Sequence, residues 1–192
     1  MFYLREKVDW IIQQHKDTNH FYDAYLPYEF HLKMAVNVYE DFKHLLPEKM
    51  YVHTDSRDED KDTTHEVIYL ACWGHDLIED TRVSYNDVKS KLDEVGYSYT
   101  ADIIYAVTNE KGKNRKERAN TKYYEGIRST KGAVFVKLCD RIANVQYSKM
   151  TKSRMFEMYK KEQFEFQKLL GRYTDSKDLE PMFSYLDKLL FY

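Results

Sequence analysis

The segment Ala71-Cys72-Trp73-Gly74-His75-Asp76-Leu77-Ile78-Glu79-Asp80-Thr81 gathers an imidazole and three carboxylates within a few positions. On a helix His75 and Glu79 lie four apart, as do Asp76 and Asp80, so these groups share neighbouring turns. They fall at a helix end, where the dipole's partial negative charge favours cations. Three carboxylates there repel one another, and a bound divalent cation offsets that cost. An acidic cap for the next helix, with a solvated edge, would account for the same charges. The apolar approach through Ile68, Leu70, Ala71, Cys72 and Trp73 carries His75 and Asp76 into the core and favours the metal.

A mixed nitrogen and carboxylate set suits a six-coordinate ion such as Mn²⁺ or Fe²⁺ better than a structural zinc site. Two side chains of one helix cannot complete such a shell, so another His and another carboxylate must project inward elsewhere. His31 is followed by Met34, Ala35, Val38, Phe42 and Leu45, which places it on the buried stripe of its own helix. His44 shares a face with Asn37, Glu40 and Asp41, the wet side. His65 lies eleven residues before Asp76, roughly 16 Å along a helix, and cannot share its ion. His15 and His20 flank the end of the first helix and His53 sits in a polar stretch. His31 is the candidate, with a hydrogen-bonded core histidine as the competing explanation. For the carboxylate, Asp140 is surrounded at helical spacing by Val136, Ala143, Asn144 and Tyr147. Burying an ionised Asp requires a metal or a cationic partner, such as Arg141 or an arginine elsewhere. Asn144, one turn on, could orient a ligand or a substrate hydroxyl, or bond a neighbouring loop.

The elements that must hold these groups read as helices almost throughout. Helices are expected over about Tyr3 to His15, Tyr28 to Leu46 (entered through Pro27 and left at Pro47) and His65 to Asp80. Ser84 and Asp87 form a capping-box pattern opening a helix to Val95, stopped by Gly96. Further helices are expected from Tyr99 to Val107, Ala133 to Tyr147, Arg154 to Leu170 and Leu179 to Leu190. His53 to Thr64 reads as an exposed acidic loop, and Lys111 to Lys122 as a basic segment. The class is all-α, residues 1–192 form one domain, and no strand is needed.

Composition supports that class. Six Gly and three Pro in 192 residues argue for long helices with short connections. At 43% hydrophobic and 32% charged the chain is globular rather than disordered. A net charge of −2 gives no reason to expect DNA or RNA binding. The longest uncharged apolar run, Val67 to Trp73, is far short of a membrane span. Charged Arg5, Glu6, Lys7 and Asp9 exclude a secretory signal, and two unpaired cysteines, Cys72 and Cys139, call for no oxidising compartment. A cytoplasmic protein is expected, with the cysteines as small buried packing. Most of the 18 Tyr should lie half-buried between helices.

Three segments in order make the chain similar to the HD-fold hydrolase domain of RelA/SpoT proteins, and more closely to the small stand-alone alarmone hydrolases. Pro27-Tyr28-Glu29-Phe30-His31 with Met34-Ala35-Val36 resembles the first histidine motif. His75-Asp76-Leu77-Ile78-Glu79-Asp80-Thr81 resembles the most diagnostic one, and Val136-Lys137-Leu138-Cys139-Asp140-Arg141 with Asn144 the third. Val107-Thr108, Tyr159, Glu162 and Phe166 extend the likeness over about residues 20–170. The resemblance implies an HD-type helical bundle with one Mn²⁺, or another divalent transition metal, held between helices by His31, His75, Asp76 and Asp140. It implies that Glu79 and Asp80 are the acidic pair near the attacking water, with Asn144 and Tyr147 beside the nucleotide sugar. The implied reaction, tied to the stringent response, is hydrolytic release of pyrophosphate from the 3′ position of guanosine tetra- or pentaphosphate (ppGpp and pppGpp). In that chemistry the ion polarises the phosphoryl group and a carboxylate takes the water's proton. Lys113, Arg115, Lys116 and Arg118 could hold the diphosphate, or form a wet loop interleaved with Glu110 and Glu117.

The chain departs from the family in one place. Before the first histidine motif the family carries a basic pair and a glycine, and the pair helps hold guanine. Here Phe21-Tyr22-Asp23-Ala24-Tyr25-Leu26 has no basic residue. Tyr22 or Tyr25 could stack on a base and Asp23 could accept from its edge, which leaves the base open. Three readings therefore stand: an alarmone 3′-pyrophosphohydrolase, which could serve as an antitoxin; an HD hydrolase of another nucleotide or phosphodiester; and a non-catalytic domain binding a nucleotide or partner. The third expects a lost ligand or acid, and none is lost.

Overall fold

The structure is a computed structural model that describes residues 2–55, 58–93 and 97–192, with the side chains of 2, 53–61, 93 and 98 left out. Helix α1 (Phe2–Asp17) leads into a two-residue hairpin, β1 (Phe21–Tyr22) and β2 (Leu26–Pro27), and then α2 (Glu29–Phe42). A second antiparallel hairpin, β3 (Val52–Asp55) and β4 (Asp58–Asp62), precedes α3 (Thr64–Gly74) and the single turn α4 (Leu77–Asp80). Then follow α5 (Tyr85–Asp93), α6 (Ser98–Val107), the short α7 (Arg115–Arg118), α8 (Thr121–Ser129), α9 (Ala133–Met150), α10 (Arg154–Leu169) and α11 (Glu180–Phe191). The all-α class holds. No helix among the described residues is long and apolar enough to cross a membrane.

Helix α9 organises the rest. Of its residues, Val134, Phe135, Val136, Leu138, Cys139, Ile142, Ala143 and Val145 are all buried, so apolar side chains point outward around most of its circumference. A helix that is apolar nearly all round must be covered on all sides. Helices α2, α3, α6, α8, α10 and α11 supply that cover. Helix α3 is equally apolar and lies against α2, α6 and α9. Cys72 and Cys139 are buried and free, as small core residues.

Four expectations change. The helix expected over His65 to Asp80 is interrupted: α3 ends at Gly74, and Asp76 (φ −101°, ψ 3°) leaves helical geometry before α4 begins. Gly74 sits where a Cβ would come 2.6 Å from Ile104 Cδ1, so a side chain there would require the Ile104 tip to move. The expectation that no strand is needed fails at both hairpins, whose short paired segments carry no apolar alternation to announce them. The polar stretch His53 to Thr64 is therefore largely a hairpin; of its acidic side chains Asp62 is partly exposed and accepts from Thr64 N–H, while the exposure expected of the others lies outside the described residues, as do Val95 and Gly96. Helix α8, hidden in sequence beside the basic segment, is anchored by only Tyr123, Tyr124 and Ile127. The capping box is present as expected, with Asp87 N–H donating to Ser84 Oγ and Ser84 N–H to Asp87 Oδ2.

Gly132 caps α9 with φ +75°, and a Cβ on it would come 2.4 Å from Ile68 Cδ1. Strain and overlap act together, so Gly132→Ala is expected to cost about 1–3 kcal/mol of stability. A denaturant midpoint equal to the parent's would show that α9 can start without glycine.

Candidate metal centre

Four side chains converge where α2, the α3–α4 junction and α9 meet. His31 comes from the buried face of α2, His75 and Asp76 from the break after α3, and Asp140 from the middle of α9. The Nε2 atoms of His31 and His75 are 3.1 Å apart. Asp76 Oδ2 is 3.1 Å from His75 Nε2 and 3.4 Å from His31 Nε2. Asp140 Oδ1 is 3.5 Å and 3.7 Å from the same two nitrogens. Ligand atoms of His31, His75 and Asp76 all lie within 4.8 Å of one another.

The donor set fits a divalent cation. His75 Nδ1 lies 2.9 Å from the Cys72 carbonyl, the bond that fixes a metal-ligating histidine with Nε2 turned to the site. His31 Nδ1 is buried with no hydrogen-bond partner among the described residues. A metal ion would compete with protons for this cluster. Burial would lower the pKa of His31, but the Asp140 and Asp76 carboxylates beside it raise it to about 9. Burial opposes charge at Asp76, yet the His75 and His31 imidazoles hold it well below the carboxylate range. Asp140 is likewise held low despite burial, first by the Lys137 ammonium and then by His31.

Around this centre the break after α3 points Glu79 and Asp80 in different directions. Glu79 accepts from the Asn109 amide at 2.8 Å and 2.9 Å and from its backbone N–H at 3.2 Å. Arg118 stands 4.0 Å away. Asp80 accepts from the Tyr28 hydroxyl at 3.1 Å, and the same hydroxyl donates to Asp76 Oδ2 at 2.5 Å. Burial, followed by the Asp76 and Glu79 charges, pushes Asp80 up to about 7. A carboxyl poised near neutrality can take up and release a proton.

A cavity of about 240 Å³ opens over these groups, and Arg115, Arg118 and Arg141 are among its lining residues. Tyr22 covers one side, its ring stacked on His31 at 4.7 Å and 10°, its hydroxyl donating to Asn144 Oδ1. Asn144 Nδ2 in turn donates to Asp140 Oδ1. Tyr147 donates to Asp23 Oδ2 at 2.9 Å, tying the β1–β2 hairpin to α9. Tyr25 is 75% exposed on that hairpin. Arg115 reaches the cavity and pairs with Glu162 at 2.9 Å. Lys113 is not brought in: it is exposed, its backbone N–H donates to Glu117, and it does not line the cavity. A larger cleft of about 1250 Å³, with Tyr51, Tyr99, Tyr105 and Gly126 in its walls, shares only Asn109 and Tyr123 with this site and holds none of the four convergent groups.

Sequence reasoning missed several contacts. Asp140 is paired with Lys137 at 2.9 Å rather than with Arg141, which turns instead to Glu162 and lies over the Tyr159 and Phe166 rings. The three-residue spacing of Lys137 and Asp140 was the available signal. Tyr28 and His20 had none, because only the return of the chain through the first hairpin places them beside Asp80.

Among solved structures, the fold is similar to that of a metazoan ortholog of SpoT that hydrolyzes ppGpp and plays a role in starvation responses. The two agree with a TM-score of 0.64 at 18% identity, over 98% of this chain and 95% of that one. No protein-family model and no curated protein matches the sequence. At that identity the likeness establishes a shared fold alone.

Proposed function

We propose that this chain is a metal-dependent pyrophosphohydrolase that releases pyrophosphate from the 3′ position of ppGpp or a closely related alarmone. The observation that carries the reading is the meeting of His31, His75, Asp76 and Asp140 beside a carboxyl, Asp80, raised to about 7. The fold likeness to a ppGpp hydrolase supports it. Mn²⁺ suits the two imidazoles and two carboxylates. Such an ion supplies Lewis-acid polarisation of the phosphoryl oxygen and a more acidic water.

The chain's own groups do the rest. Asp80 takes the proton of the attacking water, while Glu79, held by three Asn109 contacts and faced by Arg118, orients it. Arg115 and Arg118 suit the pyrophosphate oxygens. Asn144, in the cavity wall, suits a sugar hydroxyl, whereas Tyr147 is outside that wall and holds Asp23 of the hairpin, and Tyr22 offers a ring to a base. The hairpin without a basic residue favours a second reading, in which the same centre hydrolyses another nucleotide.

The test is phosphate and pyrophosphate release with Mn²⁺ and with chelator, across guanosine and adenosine 3′-pyrophosphates, ordinary nucleotides and a generic phosphodiester. Metal-dependent pyrophosphate release from the guanosine 3′-pyrophosphate is the expected result. Turnover confined to other phosphoesters would transfer the protein to the second reading.

A further inference from the structure

The last turn of α1 and the bend after it bring two histidines that no part of the metal centre uses onto one aromatic ring. Asn19 takes a left-handed turn (φ 50°) and His20 N–H donates to the His15 carbonyl at 3.1 Å. The His20 ring then stacks on Tyr28 at 3.7 Å and 21°, and the His15 ring on the same tyrosine at 4.6 Å and 15°. The two Nδ1 atoms are 3.2 Å apart, a hydrogen-bond distance that requires one ring to donate and the other to accept. At its other end, His20 Nε2 stands 3.8 Å from Asp80 Oδ2, which a small shift of the carboxylate or one water closes. His15 is buried and His20 is partly exposed, so the row runs from Asp80 outward to solvent at His20.

We propose that His20 carries protons between Asp80 and solvent, and that His15 fixes which of its ring nitrogens is free to do so. His20 is thus a positioning residue acting through Asp80, and the inference rests on Asp80 being the proton acceptor in the reaction proposed above. Burial keeps His15 neutral, with a pKa lowered to about 4, which lets its Nδ1 accept, and the relay assigns His20 Nδ1–H as the donor across the 3.2 Å contact. His20 Nε2 then faces Asp80 unprotonated. The proton that Asp80 has taken from water moves to His20 Nε2, leaving a carboxylate and an imidazolium. The imidazolium returns to neutral by giving the Nε2 proton to a solvent water. The ionisable groups bearing on His20 are His15 from α1, Tyr28 before α2, His31 on α2, and Asp76 and Asp80 from the α3–α4 region. No lysine or arginine among the described residues pairs with it.

Two measurements decide this. Nitrogen-15 spectra of the His20 ring, in the protein loaded with a diamagnetic divalent ion, should show a neutral ring protonated at Nδ1. Its titration midpoint should shift by about half a unit or more in Asp80→Asn, because the partner that shares its proton is lost. A ring protonated at Nε2, or a titration indifferent to Asp80→Asn, overturns the relay whether or not the chain proves to be a hydrolase. In turnover, His20→Gln should lower kcat by about 10-fold to 100-fold with KM nearly unchanged, and free imidazole should restore much of it. A kcat and pH profile like the parent's, or a loss that imidazole leaves untouched, also overturns it. An inactive parent with the expected spectra would instead overturn the catalytic reading of Asp80 while leaving its coupling to His20 in place.

Discussion

Asp76→Ala is expected to lower metal-dependent turnover by at least about 10³-fold, equivalent to ~4 kcal/mol of transition-state stabilisation. Asp76 Oδ2 lies within 3.4 Å of both histidine nitrogens and accepts the Tyr28 hydroxyl. No other carboxylate in the cluster is as near to both rings, so the site cannot compensate by a rotamer change. Calorimetric titration with Mn²⁺ alongside the release assay separates lost binding from lost chemistry. A variant that binds and turns over like its parent would remove Asp76 from the ligand set.

Lys137→Met should produce the largest stability change at the site, and its size should depend on metal. The Lys137 ammonium sits 2.9 Å from Asp140 Oδ2 and is largely sheltered from water. Its pKa is raised well above the ordinary lysine value: burial opposes the charge, and the Asp140 carboxylate more than offsets burial. Methionine keeps the stem and removes the charge, leaving a buried carboxylate without its counter-ion. Breaking such a pair costs about 3–5 kcal/mol. A divalent ion bound by Asp140 neutralises the same carboxylate, so the loaded variant should lose much less. The melting difference between Mn²⁺-loaded and chelated protein should therefore widen in Lys137→Met relative to the parent. Equal losses in both states would show that Asp140 does not contact the ion.

These two experiments address residues that entered by different routes. Asp76 was legible in sequence because an apolar run leads straight into a His-Asp pair, and such a pair in a core demands a counter-charge. His31 was legible because its helical stripe is otherwise apolar. Asp140 was placed by its neighbours at helical spacing as a metal ligand, with an arginine pairing as the alternative, and the cation beside it is Lys137. Helical periodicity reports which face of a helix is buried. It does not report which neighbour on that face a carboxylate turns toward.

The helical class, the principal long helices and the four groups that meet at the metal centre follow from the sequence, since local spacing and the cost of burying charge carry that information. The break between α3 and α4 does not, because the run from His65 to Asp80 keeps helical spacing through Asp76, where the backbone leaves the helix. That break directs Glu79 to Asn109 and Asp80 to Tyr28, so that two adjacent carboxylates meet different partners. The hairpin that stacks Tyr22 on His31 and brings His20 to Asp80 is likewise a product of packing. Contacts between residues distant in the chain have no local signature. Only the packed α2, α3 and α9 bring them within reach.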